Sequence, residues 1–451
     1  MQTKPDPRGL GYLPDETPTP GKLLVFAFQQ VLVMFPATVT VALLTGFHVS
    51  TTIFASGLAT LCFLLVTRGK IPLYFGSSFA YIAAVLSVVG SERIVGGIAT
   101  DAAISEAQFG IICSGLISIL AGLIVSRFGM EKIEKVLPPT VTGSIAMIIG
   151  ISLAGTAMNQ AAAYADGGTS GTAWAAALIT LAATVLFSVY LRGVWGQLPI
   201  LLGILTGYVV SIPLGLVDFS RILADGVLVA PHFTLPTPNL AALAAIMPIA
   251  IATIPESTAH LFQLDIYVND LARKKGAGTY KIADKLGLNL IGDGIGDIVA
   301  SLFGGPGGTN YGENISTMAI TKNFSVKMLG AASLLSIVLS FVGPLSNLIN
   351  TIPGAVINGA CIFLFGVIAA QGVAIMVNKE VDLFDARNLA VIAVMMIIGL
   401  GGHYGFSGSG NIPFLGLELP AIATAAVAGI VLNLLLSIGR KETPPPVRSG
   451  Q

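Results

Sequence analysis

Long, uninterrupted apolar runs joined by short polar links leave this chain very few possible folds. The first run extends from Leu23 to about Leu44, and about 20 apolar residues in a helix suffice to cross the hydrocarbon core of a bilayer. There, every backbone amide and carbonyl must find its partner inside the protein, so only helices and closed barrels can span it. A barrel would show weak segments of alternating hydrophobicity, whereas the runs here are continuous. Of the 451 residues, 54% are hydrophobic and 10% charged, against about 25% charged in a soluble domain. The expected fold class is therefore an all-α polytopic membrane protein, with the lipid bilayer as its partner. Zero net charge argues against nucleic acid. Cys62, Cys113 and Cys361 lie in apolar stretches at spacings that match no metal site, and read as small buried hydrophobes without a disulfide.

Fourteen membrane segments are expected, at about 23–44, 51–67, 72–90, 107–126, 138–157, 172–191 and 198–216, then 240–263, 287–303, 306–321, 327–343, 353–377, 388–402 and 419–439. Of the 23 lysines and arginines, this arrangement places all but Arg93 and Arg221 on the side of the N-terminus or in the tails. Cytoplasmic loops carry an excess of Lys and Arg, so both termini are expected in the cytoplasm. The polar, proline-containing tails, 1–22 and 440–451, are expected to be disordered. Residues 1–21 lack the apolar core and cleavage site of a signal peptide.

The segments divide into two halves of seven, 23–216 and 240–439. The third segment of each half is irregular: Ile71-Pro-Leu-Tyr-Phe-Gly-Ser-Ser-Phe-Ala-Tyr81 and Gly304-Gly-Pro-Gly-Gly-Thr-Asn-Tyr-Gly-Glu-Asn314. An odd number of spans per half turns the second copy over, which is an inverted repeat. Transporters built this way bind substrate near the midplane, between discontinuous segments in corresponding positions. An interrupted helix leaves backbone amides free at its N-terminus, so Phe79 and Gly312 would offer amides, and Ser77 and Ser78 hydroxyls. The plainer alternative is that these glycines and prolines only kink packed helices.

Ionisable residues at hydrocarbon depth sharpen the reading. A charged side chain at the bilayer centre costs about 2.5–3.5 kcal/mol on insertion scales and normally faces a cavity that handles a solute or a proton. Glu256 and Glu313 are such residues. Glu256 and His260 are spaced i,i+4, share a helix face, and form a natural proton-handling pair; a structural contact between helices is the alternative. Pro248 and Pro255 suggest a bent eighth segment. Glu256-x-x-x-His260 lacks the first histidine of a zinc-protease helix and no second ligand stands nearby, so neither metal nor cofactor is expected. Gln29 and Gln30 read as glue between helices. Asp293 and Asp297 are a turn apart and suit a structural role, such as capping a cytoplasmic helix end, ahead of a proton path. Asp265, near its helix end, is expected to be solvated, and His48 and His403 fall in external loops.

Three motifs together, Gly76-Ser-Ser-Phe-Ala80, Glu256-x-x-x-His260 and Thr309-Asn-Tyr-Gly-Glu313-Asn-Ile-x-x-Met-Ala-Ile-Thr321-Lys322, resemble the nucleobase–ascorbate transporter family of nucleobase:cation symporters, nearest its bacterial uracil permease branch. The resemblance covers about residues 23–439. It implies a seven-plus-seven inverted repeat, with a core domain of segments 1–4 and 8–11 and a gate domain of segments 5–7 and 12–14. It also implies short antiparallel strands in segments 3 and 10, a homodimer, and residence in the cytoplasmic (inner) membrane. By position, Glu256 and Glu313 would bind the base and Phe79 and Gly312 would supply backbone amides. Ser78 and Tyr311 complete the candidate substrate set, and His260 with Glu256 would couple protons. The implied activity is proton-coupled uracil import by alternating access, and the alternative is a purine (xanthine or urate) symporter of the same family.

Uracil suits such a site, because carboxylates accept from its N–H edges while backbone amides donate to its carbonyls. Some positions depart from the family pattern: Ser316 replaces a glycine, Ser257-Thr-Ala follows Glu256 in place of a further histidine, and Phe365 stands where some relatives carry tyrosine. These bear on substrate identity more than on fold. An anion transporter of the sulfate-permease type shares the architecture, but two facing carboxylates are wrong for an anion. An intramembrane enzyme would need a nucleophile–base or metal constellation, and a channel a symmetric polar lining. Neither is present in the sequence.

Overall fold

The computed structural model describes residues 11–90, 93–95, 97–129, 135–162, 170–193, 195–220, 222, 226–406, 410–414 and 417–438. Lys132, Arg221 and the tail stretches 1–10 and 439–451 lie outside the described residues. Helix α1 (Pro20–Thr45) opens with proline at its first position, where its missing amide is no loss, and stops at Gly46, φ 76°. It is followed by α2 (Val49–Val66), strand β1 (Phe75–Ser77), the short α3 (Ile82–Val89), a β2–β3 hairpin (Ile94–Val95, Ile98–Ala99) and α4 (Asp101–Phe128). Then come α5 (Pro139–Ser152), α6 (Ala154–Ala162), α7 (Gly171–Tyr190) and α8 (Pro199–Ser211).

The second half holds α9 (Leu240–Ile246), α10 (Ala250–Lys275), α11 (Leu286–Leu302), strand β4 (Gly308–Asn310), α12 (Gly312–Thr321) and α13 (Val326–Ser340). It closes with α14 (Gly343–Asn350), α15 (Gly354–Asn378), α16 (Ala386–Met396), a β5–β6 hairpin (Asn411–Phe414, Leu417–Pro420) and α17 (Ala421–Ser437). Each expected segment coincides with a helix or a strand–helix pair. Among the described residues eight helices are long and apolar enough to cross a membrane. The chain is a multi-pass helical membrane protein. On α4 the exposed Leu116, Leu120 and Leu123 recur at i, i+4 and i+7, a single apolar face turned outward as toward lipid.

Two boundaries differ from the sequence reading. The eighth segment does not stop near 263: α9 bends through a 3₁₀ turn at Met247–Ile249, which carries Pro248, and α10 runs on to Lys275. Its polar last turns stay helical because Arg273, Lys274 and Lys275 suit a helix C-terminus, and Gly276 at φ 67° ends it. The N-terminal tail is also ordered from residue 11. Tyr12 donates to the Lys322 carbonyl at 2.7 Å and accepts from the Phe324 amide at 2.8 Å, Leu13 is buried, and Lys275 Nζ lies 2.6 Å from Glu16 Oε2. Composition suggested disorder there because nothing local in the tail reveals the groove it fills.

Helix α11 lies between α2 and α4, α13 lies on α1 and α2, and α15 contacts α5, α6 and α7. Small residues set the closest crossing: a Cβ on Gly115 would stand 2.6 Å from the Gly294 carbonyl, and one on Gly294 2.3 Å from that of Gly115. Backbones that meet this closely can hold helices together where lipid removes the usual hydrophobic drive.

Candidate functional site

The two irregular segments meet. β1 and β4 pair antiparallel, with Phe75 opposite Asn310, Gly76 opposite Thr309 and Ser77 opposite Gly308. Such short strands inside a bundle have edges that other groups must satisfy. Thr60 Oγ1 accepts from the Phe75 amide at 3.0 Å, and Ser56 and Thr60 donate to the Phe75 carbonyl at 2.8 and 2.9 Å. On the other strand the Gly308 amide donates to Asp297 Oδ1 at 2.7 Å. Asp297 Oδ2 accepts from the Tyr81 hydroxyl at 3.0 Å, and that hydroxyl also meets Ser114 Oγ at 2.8 Å.

Each strand runs into a helix start. Ser78 caps the 3₁₀ turn Phe79–Tyr81 that leads into α3, its Oγ accepting from the Ala80 amide at 3.2 Å. Tyr311 precedes α12. Phe79 and Gly312 thus occupy first helical positions, whose amides have no intrahelical acceptor. Glu313 sits in the first turn of α12, where the positive end of the helix dipole favours a carboxylate.

Helix α10 closes the site. The Glu256 carboxylate faces the Ser78 hydroxyl, with Glu313 and Asp293 as its carboxylate neighbours. His260, one turn on, lies beside the Asn310 backbone, and its Nδ1 is buried without a partner. Gly312 leaves room for this ring, because a Cβ there would stand 2.8 Å from His260 Nε2. Glu256 and His260 keep partial accessible surface and Glu313 is exposed. Glu256, His260, Glu313, Gly312, Phe79 and Ser78 therefore converge on one place, and the arrangement can hold a small polar ring between carboxylates and free amides.

Tyr311 does not join them through its hydroxyl, which donates to the Ser77 carbonyl at 3.0 Å and meets Thr38 Oγ1 at 2.9 Å. It braces the strand pair, and Gly76 makes room, since a Cβ there would stand 2.4 Å from the tyrosine ring. Gln30 ties α1 to α12, with its Oε1 2.7 Å from Asn314 Nδ2. Asp293 and Asp297 lie mid-helix and buried, so neither caps a helix end. Asp265 is not simply solvated: its Oδ1 accepts from the Ile282 and Ala283 amides at 2.9 and 3.0 Å.

A polar network behind the site was not signalled by any motif. Ser257 donates to Asp293 and accepts from Asn289 Nδ2 at 2.6 Å and Asn310 Nδ2 at 3.2 Å. The one hint was placement, since Ser257 follows Glu256 and Asn310 ends β4.

Residues 21–408 match the model of a family described as the Permease family. The uracil permease of Bacillus subtilis (strain 168) is 34% identical over 439 residues, 95% of this chain and 95% of that protein. The uracil permease of Escherichia coli (strain K12) is 33% identical, covering 94% of this chain and 93% of that one. Among solved structures, murine Solute Carrier 26 family member A9, an anion transporter in the inward-facing state, superposes with a TM-score of 0.65 at 11% identity, covering 97% of this chain and 72% of that one. The transmembrane domain of a cyanobacterial bicarbonate transporter gives 0.57 at 14%, covering 97% and 99%. These structures share the fold. With the paired strands, the carboxylates of α10 and α12 and a family match over most of its length, the chain belongs to the nucleobase–ascorbate transporter family and is a permease, not an enzyme.

Proposed function

We propose that this permease is a proton-coupled symporter that imports uracil across the cytoplasmic membrane by alternating access, with both termini in the cytoplasm. The observation that carries the reading is the proximity of Glu256 and Glu313 to each other and to the helix starts at Phe79 and Gly312. Uracil is flat and neutral, with N–H donors between carbonyl acceptors. The two carboxylates accept from the ring N–H groups, and the amides of Phe79 and Gly312 donate to its carbonyls. A competitor that left one of these groups unpaired in a dry site would lose about 1–3 kcal/mol. Relatives that align over nearly the whole chain are uracil permeases, which supports a pyrimidine ahead of a purine.

Protonation of the Glu256–His260 unit accompanies binding, and its deprotonation on the cytoplasmic side promotes release. Segments 1–4 and 8–11 form a core that carries the site, and segments 5–7 and 12–14 form the gate against which it moves. The two halves are inverted repeats and the working unit is a homodimer.

Equilibrium binding of labelled uracil to the detergent-purified protein, with unlabelled xanthine as competitor, tests the substrate. Saturable uracil binding that xanthine does not displace, and that Glu313→Gln weakens about 5- to 150-fold, is expected. Xanthine binding in its place would move the substrate to purines.

A further inference from the structure

Far from the substrate site, three side chains from separate parts of the chain come together. His48 stands immediately before α2, Asp101 is the first residue of α4, which Thr100 caps, and His232 lies in the connection between α8 and α9. One potential ligand atom from each lies within 4.8 Å of the other two. His232 Nε2 is 3.0 Å from Asp101 Oδ1 and 3.1 Å from Oδ2, and the two imidazole rings stand with centroids 4.5 Å apart. His48 Nε2 is buried with no hydrogen-bond partner.

We propose that His48, Asp101 and His232 form a divalent transition-metal site of zinc type, on the face of the chain opposite the docked N-terminal segment. Two imidazoles and a carboxylate are a zinc donor set, at about 2.0–2.2 Å from the metal, with the remaining position open to water. Tetrahedral ligands at that bond length stand about 3.3 Å apart, so the His232–Asp101 pair is already near the required spacing, and the His48 ligand atom, within 4.8 Å of both, has to move closer on metal binding. The backbone is held for this. The His232 carbonyl accepts from Thr51 Oγ1 at 2.6 Å, and the Ala99 amide donates to the Gly46 carbonyl at 2.8 Å, fixing the start of α4 to the end of α1. The side chains of His232 and Asp101 are 50% and 64% exposed, so the site opens to the aqueous phase. A bound ion would staple the 227–239 connection to the ends of α2 and α4. With the basic loops in the cytoplasm this face is external.

Cobalt(II) titration of the untagged, chelator-treated full-length protein in detergent tests the proposal, because four-coordinate cobalt has visible ligand-field bands that zinc then displaces. One ion per chain is expected. His48→Gln and His232→Gln should each lower affinity by more than the about 10- to 100-fold that loss of a second-shell partner costs, with metal-free melting temperatures equal to the parent's. Should either variant misfold, the near-isosteric Asp101→Asn gives the same readout. No saturable binding by the parent, or unchanged affinity in both histidine variants, would overturn the assignment.

Discussion

At the scale of single residues, the site follows from which side chains hydrocarbon tolerates. Glu256, His260 and Glu313 were visible in the sequence because an ionisable group in an apolar stretch is costly and needs a cavity. Asp293 and Asp297 carried the same signal, but the structure gives Asp297 a bracing duty, accepting from the Gly308 amide and Tyr81. No spacing rule separates these cases, since the partners come from distant segments. Tyr311 was expected in the substrate set, whereas its hydroxyl bonds to Ser77 and Thr38. Gly312 offers a sharp test. Gly312→Ala places a methyl 2.8 Å from His260 Nε2, and the ring must shift. Uracil affinity should fall about 5- to 150-fold, equivalent to about 1–3 kcal/mol of lost polar contacts. Equal binding by the variant would show that this contact does not shape the site.

At the scale of elements, the broken third and tenth segments were legible because proline and glycine clusters interrupt a helix pattern, and small polar residues follow. The pairing of β1 with β4 was not legible in the breaks themselves, and short antiparallel strands were expected only from the family resemblance. The docked stretch from Tyr12 to Glu16 was not legible, because its partners, Lys322, Phe324 and Lys275, lie hundreds of residues away. The crossing of α4 and α11 was hidden for the same reason. Glycines in apolar helices are common, and only the structure shows that Gly115 meets Gly294. Gly115→Ala would put a methyl 2.6 Å from a backbone carbonyl, an overpacking cost of about 1–3 kcal/mol. Its melting temperature should fall clearly below that of Gly330→Ala, where a Cβ meets open space. Matching melting curves would mean that the crossing relaxes freely.

At the scale of the whole molecule, the chain sets a polar, strand-braced centre among helices whose outer faces are apolar. The multi-pass helical character was legible in the apolar runs, and eight helices among the described residues are long and apolar enough to span a membrane. The convergence of residues 48, 101 and 232 on one face could not be read from spacing, since no metal motif spans such intervals. The central claim is that solute movement is driven by protons handled at Glu256 and His260. It is tested most directly by uracil uptake into proteoliposomes with an imposed inward proton gradient, comparing the parent with Glu256→Gln. The parent should accumulate uracil above equilibrium only while the gradient lasts, and the variant should show no gradient-driven accumulation. Accumulation by Glu256→Gln equal to the parent's, or uptake by the parent that ignores the gradient, would contradict it.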